Sequence, residues 1–172
     1  VLIYKASGVI NFAQGEFLML GAYLCLSFLV QANLPLWAAL ALTIVVMALI
    51  ALILERLVLR PLIGEPVISI IMATIGLALV FKAATAVAWG TQLLSFPAIF
   101  PDLPLKLGQV IISQVYIWTF CTAMLLMVAF ALFFKFTRLG IAMRATANSH
   151  QVALSMGISV KSIFALSWAI SA

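Results

Sequence analysis

Charge is what this sequence has least of. Its 172 residues include four acids, nine Lys or Arg and one His, so 8% are charged while 67% are hydrophobic. A soluble domain carries about a quarter of its residues as Asp, Glu, Lys or Arg. So few charges cannot coat a water-facing surface, and a mean hydropathy of +1.32 points to lipid as the main solvent. The two cysteines, Cys25 and Cys121, lie in apolar runs with no CxxC or Cys/His spacing to suggest a redox or metal site, and read as small apolar fillers. With no ligand or triad partner, His150 reads as a solvated residue. No paired carboxylates or Ser/His/Asp set suggests hydrolysis, so no catalytic residue, metal site or cofactor is expected. No GxxxxGK[ST] occurs, so the chain has no ATP site of that type. Val stands first in place of Met, and the apolar run 162–172 stops in mid-course. An interior piece of a longer chain is expected.

What is present is a series of apolar runs. A helix rises 1.5 Å per residue, so about 20 apolar residues cross a hydrocarbon core about 30 Å thick. Five runs qualify in whole or part: 12–30, 37–54, 67–89, 110–134 and a truncated one from about 163. The expected fold is an all-α integral membrane protein of about five transmembrane helices. Lys82 falls inside the third run but nearer one end, where its stem can snorkel. Pro61 and Pro66 are expected to stop the helix in a loop at 55–66. The stretch 90–109, with Pro97, Pro101 and Pro104, is too proline-rich for helix, and a small hairpin around Gly108 is expected over 106–113.

If the spans alternate, one side receives Lys5, Arg56, Arg60, Lys135, Arg138, Arg144 and Lys161, and the other only Lys106. That asymmetry makes the basic side cytoplasmic. The loops 55–66 and 135–162 are then cytoplasmic, and 31–36 and 90–109 lie outside. Trp37, Trp89 and Trp118 fall at the outer ends of their spans, as interfacial tryptophans do. The net charge of +5 is thus a topology signal and gives no support to nucleic-acid binding.

The segment 135–162 is the most informative. Asn148 or Ser149 is a candidate helix N-cap, and Gly157 is placed to end that helix in a left-handed turn. Val152, Ala153 and Met156 share one face, and the expectation is a short amphipathic helix with Ala153 exposed. Composition alone favours a helix lying in the head-group region. The competing reading is a docking element for a cytoplasmic subunit.

Thr137-Arg138-Leu139-Gly140, Met143-Arg144-Ala145, Ala153-Leu154 and Gly157-Ile158 together resemble the cytoplasmic loop of LivH/LivM-type permeases. These are the membrane subunits of branched-chain amino acid ABC importers. Gly8-Val9-Ile10-Asn11-Phe12-Ala13-Gln14-Gly15-Glu16-Phe17 with Gly21-Ala22-Tyr23 resembles the hallmark of the LivH branch, although Gln14 stands where many relatives have His. Glu55-Arg56 and Arg60-Pro61-Leu62 match in the same order. The resemblance covers essentially the whole sequence. It implies one partial permease domain over 1–172 in a bacterial inner membrane, with 135–162 as the coupling loop and Arg144, Ala145, Ala153, Leu154 and Gly157 as its contact residues. It also implies a second permease of similar fold, two cytoplasmic ATP-binding subunits and a periplasmic substrate-binding protein as partners, besides the bilayer. The implied cargo is a branched-chain or related amino acid, with urea or short amides as the alternative.

Asn11, Gln14, Gly15 and Glu16 form a polar, glycine-containing interruption at the first span. A carboxylate in the membrane costs a few kcal/mol, and each glycine weakens a helix by about 1 kcal/mol. Such a cluster points to a discontinuous helix lining a cavity. Two other readings compete with this one. In the first, Gly15 and Gly21 serve close helix packing while Glu16 pairs with a base. In the second, the chain is an ion-coupled secondary transporter working through Glu16.

Overall fold

A computed structural model describes residues 11–62, 65–92, 94–97, 104–107 and 110–171. They form two compact units, one of residues up to Gln92 with Ala142 onward, the other of Leu93–Ile141.

In the first unit, α1 (Gln14–Val30), α2 (Leu36–Leu54), α3 (Val67–Trp89), α5 (Arg138–Asn148, continuing from the second unit), α6 (His150–Ser155) and α7 (Val160–Ser171) follow the chain. α1 packs on α2 and α3, and α7 packs on α2. The shared core holds Ala13, Phe17 and Leu20 of α1 and its approach, Met47 and Ala51 of α2, Leu59 just beyond α2, Leu77 and Phe81 of α3, and Trp168 of α7. Phe17 meets the Phe81 ring edge-on at 4.8 Å.

α2 explains why such a greasy chain still packs specifically. Its buried residues, Ala39, Thr43, Met47 and Ala51, recur every fourth position and are mostly small, whereas Ile44 (69% exposed) and Ile53 (56%) point outward. Burying apolar area gives no preference for one face when lipid is as apolar as leucine. Close backbone approach at small residues decides instead. The hydroxyls in this core are satisfied locally: Thr43 donates to the Ala39 carbonyl at 2.7 Å and Thr85 to that of Phe81 at 2.9 Å. Among the described residues no buried side-chain nitrogen or oxygen lacks a partner.

The stop expected at 55–66 is displaced. Helix continues from α2 through Leu62, first as a widened π turn over Glu55–Leu59, then as a 3₁₀ turn over Arg60–Leu62. In the π turn the Arg60 N–H reaches back five residues to the Glu55 carbonyl. Pro61 is accommodated because it sits in the first residues of a new, tighter turn. Pro66, extended at ψ 143°, does separate the segments and leads into α3. Leu36–Leu62, Val67–Trp89 and Gln114–Phe136 are long and apolar enough to span a bilayer, while Gln14–Val30 and Val160–Ser171 are shorter apolar helices.

The second unit holds the hairpin and α4 (Gln114–Phe136). Strands β1 (Pro104–Leu107) and β2 (Val110–Ser113) pair antiparallel, Leu107 opposite Val110. The expected hairpin is therefore present, and it takes the residues with which the fourth span was expected to start. The span begins instead at Gln114, where the Ser113 hydroxyl accepts from the Val115 N–H. The all-α membrane architecture thus carries one small β-ribbon.

Candidate functional site

Two places collect the residues singled out from the sequence. The first is the start of α1. Asn11 folds its carboxamide oxygen onto the Ala13 N–H at 2.9 Å, an Asx turn that leads the chain into the helix. Gln14 opens α1, and Glu16 follows in its first turn, where a carboxylate complements the positive helix end. The Phe12 N–H donates to Thr74 Oγ1 of α3 at 3.3 Å. Gln14 Nε2 donates to the Ser171 carbonyl of α7 at 2.9 Å, and Ser171 Oγ returns a bond to Gln14 Oε1 at 3.1 Å. Asn11 Nδ2 lies 3.4 Å from the same Oε1.

The depth of this start follows from its partners. Thr74 is seven residues into α3 and Ser171 eleven into α7, or about 10 and 16 Å along helices rising 1.5 Å per residue. α1 therefore starts alongside the interior of α3, and level with the last described residue of α7. The residues before Asn11, on which an interrupted first span depends, lie outside the described ones. Gly15 has no neighbour within 4 Å of where a Cβ would stand, and Gly21 makes only an ordinary contact with Met47 at 3.7 Å. Tight packing does not account for Gly15. Glu16 makes no ion pair among the described residues. An apolar groove of about 560 Å³ lies between α1, α2 and α7, but Asn11, Gln14 and Glu16 do not line it. Its one hydroxyl, Thr43, is already committed within α2.

The second place is the segment after α4. Thr137 caps α5: its hydroxyl accepts from the Gly140 N–H at 3.0 Å and donates to the Phe133 carbonyl at 2.7 Å. A side chain at Gly140 would stand 2.6 Å from Phe133 O and Phe134 Cα, so only glycine permits this turn. α5 itself was not separable in the sequence from the loop around it. Arg144 and Ala145 lie on α5, with Arg144 exposed and Ala145 half-buried, flanked by buried Met143 and Thr146.

α6 follows the expected caps. Ser149 Oγ accepts from the Val152 N–H. Gly157 adopts φ +78°, its N–H bonds the Leu154 carbonyl, and Ile158 N–H bonds that of Ala153 at 2.9 Å. These two bonds form a Schellman closure, with Ile158 packing beside Ala153 as that motif requires. One expectation fails: Ala153 is 1% exposed, not presented to solvent. It packs against Val160 and Phe164 of α7, because the closure folds the next helix back over it. Val152, Leu154 and Met156 are the exposed apolar residues, Met156 at 76%.

Thr74 and Ser171 were missed in the sequence, since isolated hydroxyls in apolar runs usually bond their own helix. The other feature missed is a buried ion pair. Glu55, 1% exposed, receives Arg60 Nη2 at 3.1 Å and Nε at 3.3 Å, a two-point pair across the π turn. The i, i+5 spacing suits no regular helix, so only a foreseen π turn would have disclosed it.

Comparison with known proteins gives a consistent result. The family described as branched-chain amino acid transport system / permease component matches residues 1–172. The high-affinity branched-chain amino acid transport system permease protein BraD of Pseudomonas aeruginosa is 29% identical over 99% of this chain and 60% of its own length. LivH of Escherichia coli K12 is 26% identical over 99% of this chain and 59% of its own. A probable LivH of Methanocaldococcus jannaschii is 29% identical over 99% and 55%. The chain thus spans somewhat over half the length of these relatives. No solved structure matches it. The chain is a multi-pass membrane protein and belongs to the family of branched-chain amino acid transport permease components.

Proposed function

We propose that this chain is part of a permease subunit of an ABC importer that carries branched-chain or related amino acids across the cytoplasmic membrane. The observation that carries the reading is the polar start of α1, held by Thr74, partway along α3, and by Ser171, the last described residue of α7. Asn11, Gln14 and Glu16 bring polar groups to the N-terminal end of an otherwise apolar helix. An α-carboxylate cargo is suited to such a positive helix end. The names of the relatives support the amino acid class.

In this reading 135–162 is the cytoplasmic coupling loop, and the exposed Val152, Leu154 and Met156 of α6, near Arg144 in sequence, meet an ATP-binding subunit. A second permease, a second ATP-binding subunit and a periplasmic binding protein complete the importer. The distribution of Lys and Arg supports placing 55–66 and 135–162 inside and 31–36 and 90–109 outside. Chemistry on a bond is left to the ATP-binding subunits.

The test is reconstitution of the complete importer in proteoliposomes. ATP-dependent leucine accumulation, outcompeted by isoleucine and valine but not by urea, is the expected result. Competition by urea would move the cargo to the amide class. Uptake that ignores ATP and collapses with the proton or sodium gradient would favour an ion-coupled transporter instead. Single cysteines at Ala32 and Gln92 should react with an impermeant thiol reagent from outside, and cysteines at Glu65 and Ser155 should not. The reverse pattern would overturn the orientation.

A further inference from the structure

We infer that Trp89 is a positioning residue: clamped on α1 at Tyr23 and Ser27, it works with Thr74 to set the depth at which the polar start of α1 stands along α3. The inference rests on reading that start as cargo-facing, and goes beyond it by naming the distant contact that fixes its place.

Trp89 departs from the other tryptophans near span ends. Trp37 is 79% and Trp118 63% exposed, as rings at a head-group boundary are. Trp89 is half-buried against the core of the first unit and turns its indole N–H toward α1, onto Ser27 Oγ at 2.6 Å. Its ring also lies 5.5 Å from that of Tyr23. Tyr23 and Ser27 are one helical turn apart, and the Ser27 hydroxyl itself donates to the Tyr23 carbonyl at 3.0 Å. Trp89 therefore holds α1 at two levels of one face. Gly90, at φ +81°, ends α3 directly after it.

The second attachment is at the opposite end of the pair. Thr74, fully buried, accepts from the Phe12 N–H at 3.3 Å and donates to the Ile71 carbonyl at 2.8 Å. Phe12–Thr74 and Ser27–Trp89 join residues of the same separation, 62 in sequence, so α1 and α3 run parallel and in register. The Phe17–Phe81 ring contact falls between them. The two attachments stand about 22 Å apart along α3. Apolar packing in lipid lets a helix slide or turn against its neighbour, and polar contacts between helices remove that freedom. Because the two separations match, α1 cannot shift along α3 by a turn without breaking both bonds at once. α2 supplies no such restraint. Its hydrogen-bonding side chains are Trp37, which is exposed, and Thr43, which bonds within α2.

The experiment measures ATP-dependent leucine uptake by the reconstituted importer over a range of leucine concentrations. Trp89→Phe keeps a ring on Tyr23 and removes the N–H. Maximal uptake should fall about fivefold, the size of effect that one lost hydrogen bond gives. Half-saturating leucine should not move, because the cargo is captured first by the binding protein. Ser27→Ala should match it. A Ser27→Cys, Trp89→Cys pair in a background free of other cysteines should be as slow, and should recover uptake when bridged by a short bifunctional thiosulfonate. A residue needed only for folding could not be replaced by a link made after folding. The assignment is overturned if Trp89→Phe transports at the unmodified rate, if half-saturation moves while the maximum stays, or if bridging abolishes uptake. Should Trp89→Phe fail to assemble, the cysteine pair decides alone: full uptake before bridging, or none regained after it, overturns the assignment. Absence of ATP-dependent uptake in the unmodified importer would instead overturn the permease reading itself.

Discussion

The connection from α2 to α3 and the connection from α4 to α7 both end one apolar helix and begin another, but with different chemistry. The first keeps the helix going through a π turn and closes it with a charged pair, Glu55 buried at 1% exposure and Arg60 at 36%. The second uses no ion pair among the described residues. Thr137, Ser149 and Gly157 satisfy its helix ends with hydroxyls and backbone, leaving Val152, Leu154 and Met156 exposed. A buried charge is secure only while its partner stays, so the first connection suits a fixed point of the bundle. Caps that close on themselves need no charged partner, so the second connection holds its helix ends with hydroxyls and backbone alone. The difference teaches where rigidity comes from: from charge in one place, from local closure in the other.

Breaking the first connection should have the largest effect. Arg60→Ala leaves the Glu55 carboxylate buried and unpaired, and should lower stability by about 3 kcal/mol, the low end for such a pair because Arg60 is partly exposed. Thermal unfolding in detergent checks this. Glu55→Met with Arg60→Leu should recover most of the loss, and no recovery would mean that the pair has a role besides stability. Next comes Gly140→Ala, whose new methyl meets backbone atoms at 2.6 Å. It should cost about 2 kcal/mol through displacement of α5, read by the same melt and by new protease sensitivity near Thr137.

A smaller loss, about 1 kcal/mol, is expected for Gly157→Val, which forces a β-branched residue to φ +78°. If 135–162 is the coupling loop, the functional signature of this variant should exceed its stability effect, with ATP hydrolysed by the partner subunits and little amino acid accumulated. Ser149→Ala removes one cap bond and should cost about 0.5 to 1 kcal/mol, visible as faster amide exchange at Val152. The smallest stability effect belongs to Met156→Asp, within about 0.5 kcal/mol because the side chain is exposed. If α6 presents a docking surface, this variant should nevertheless lose co-purification with the ATP-binding subunits. Undiminished co-purification would reduce the second connection to an interfacial helix. Ala153→Asp would not serve that purpose, since it places a carboxylate in the contact with Val160 and Phe164.

The sequence made the apolar spans legible because composition and length suffice for them. It also disclosed the α6 caps, because Ser149 and Gly157 act through local backbone geometry. Hydroxyls and glycines carry that kind of information within a few residues of where they act. It did not disclose the π turn, where Pro61 argued for a stop and tertiary packing of Glu55 and Leu59 prevailed. Nor did it disclose which partners hold the start of α1. Gln14 and Ser171 are 157 residues apart, and nothing near either one specifies the other. The burial of Ala153 was misjudged for the same reason: helical spacing marks a face, while the fold of the following helix decides what covers it.

The π turn has one more consequence, in the phase of the chain. It fits one residue more than an α turn, so everything from Arg60 onward is rotated by about 100° relative to an unbroken α2. It is equivalent to a single-residue insertion absorbed without a loop. Deleting the exposed Leu57 should let the turn relax to α geometry, and Glu55 and the guanidinium would then stand four residues apart. That spacing also pairs side chains on one helix face. The ion pair should therefore survive the deletion, while Leu59 and the approach to Pro66 keep their orientation. A chain one residue shorter at this point should therefore keep the same fold.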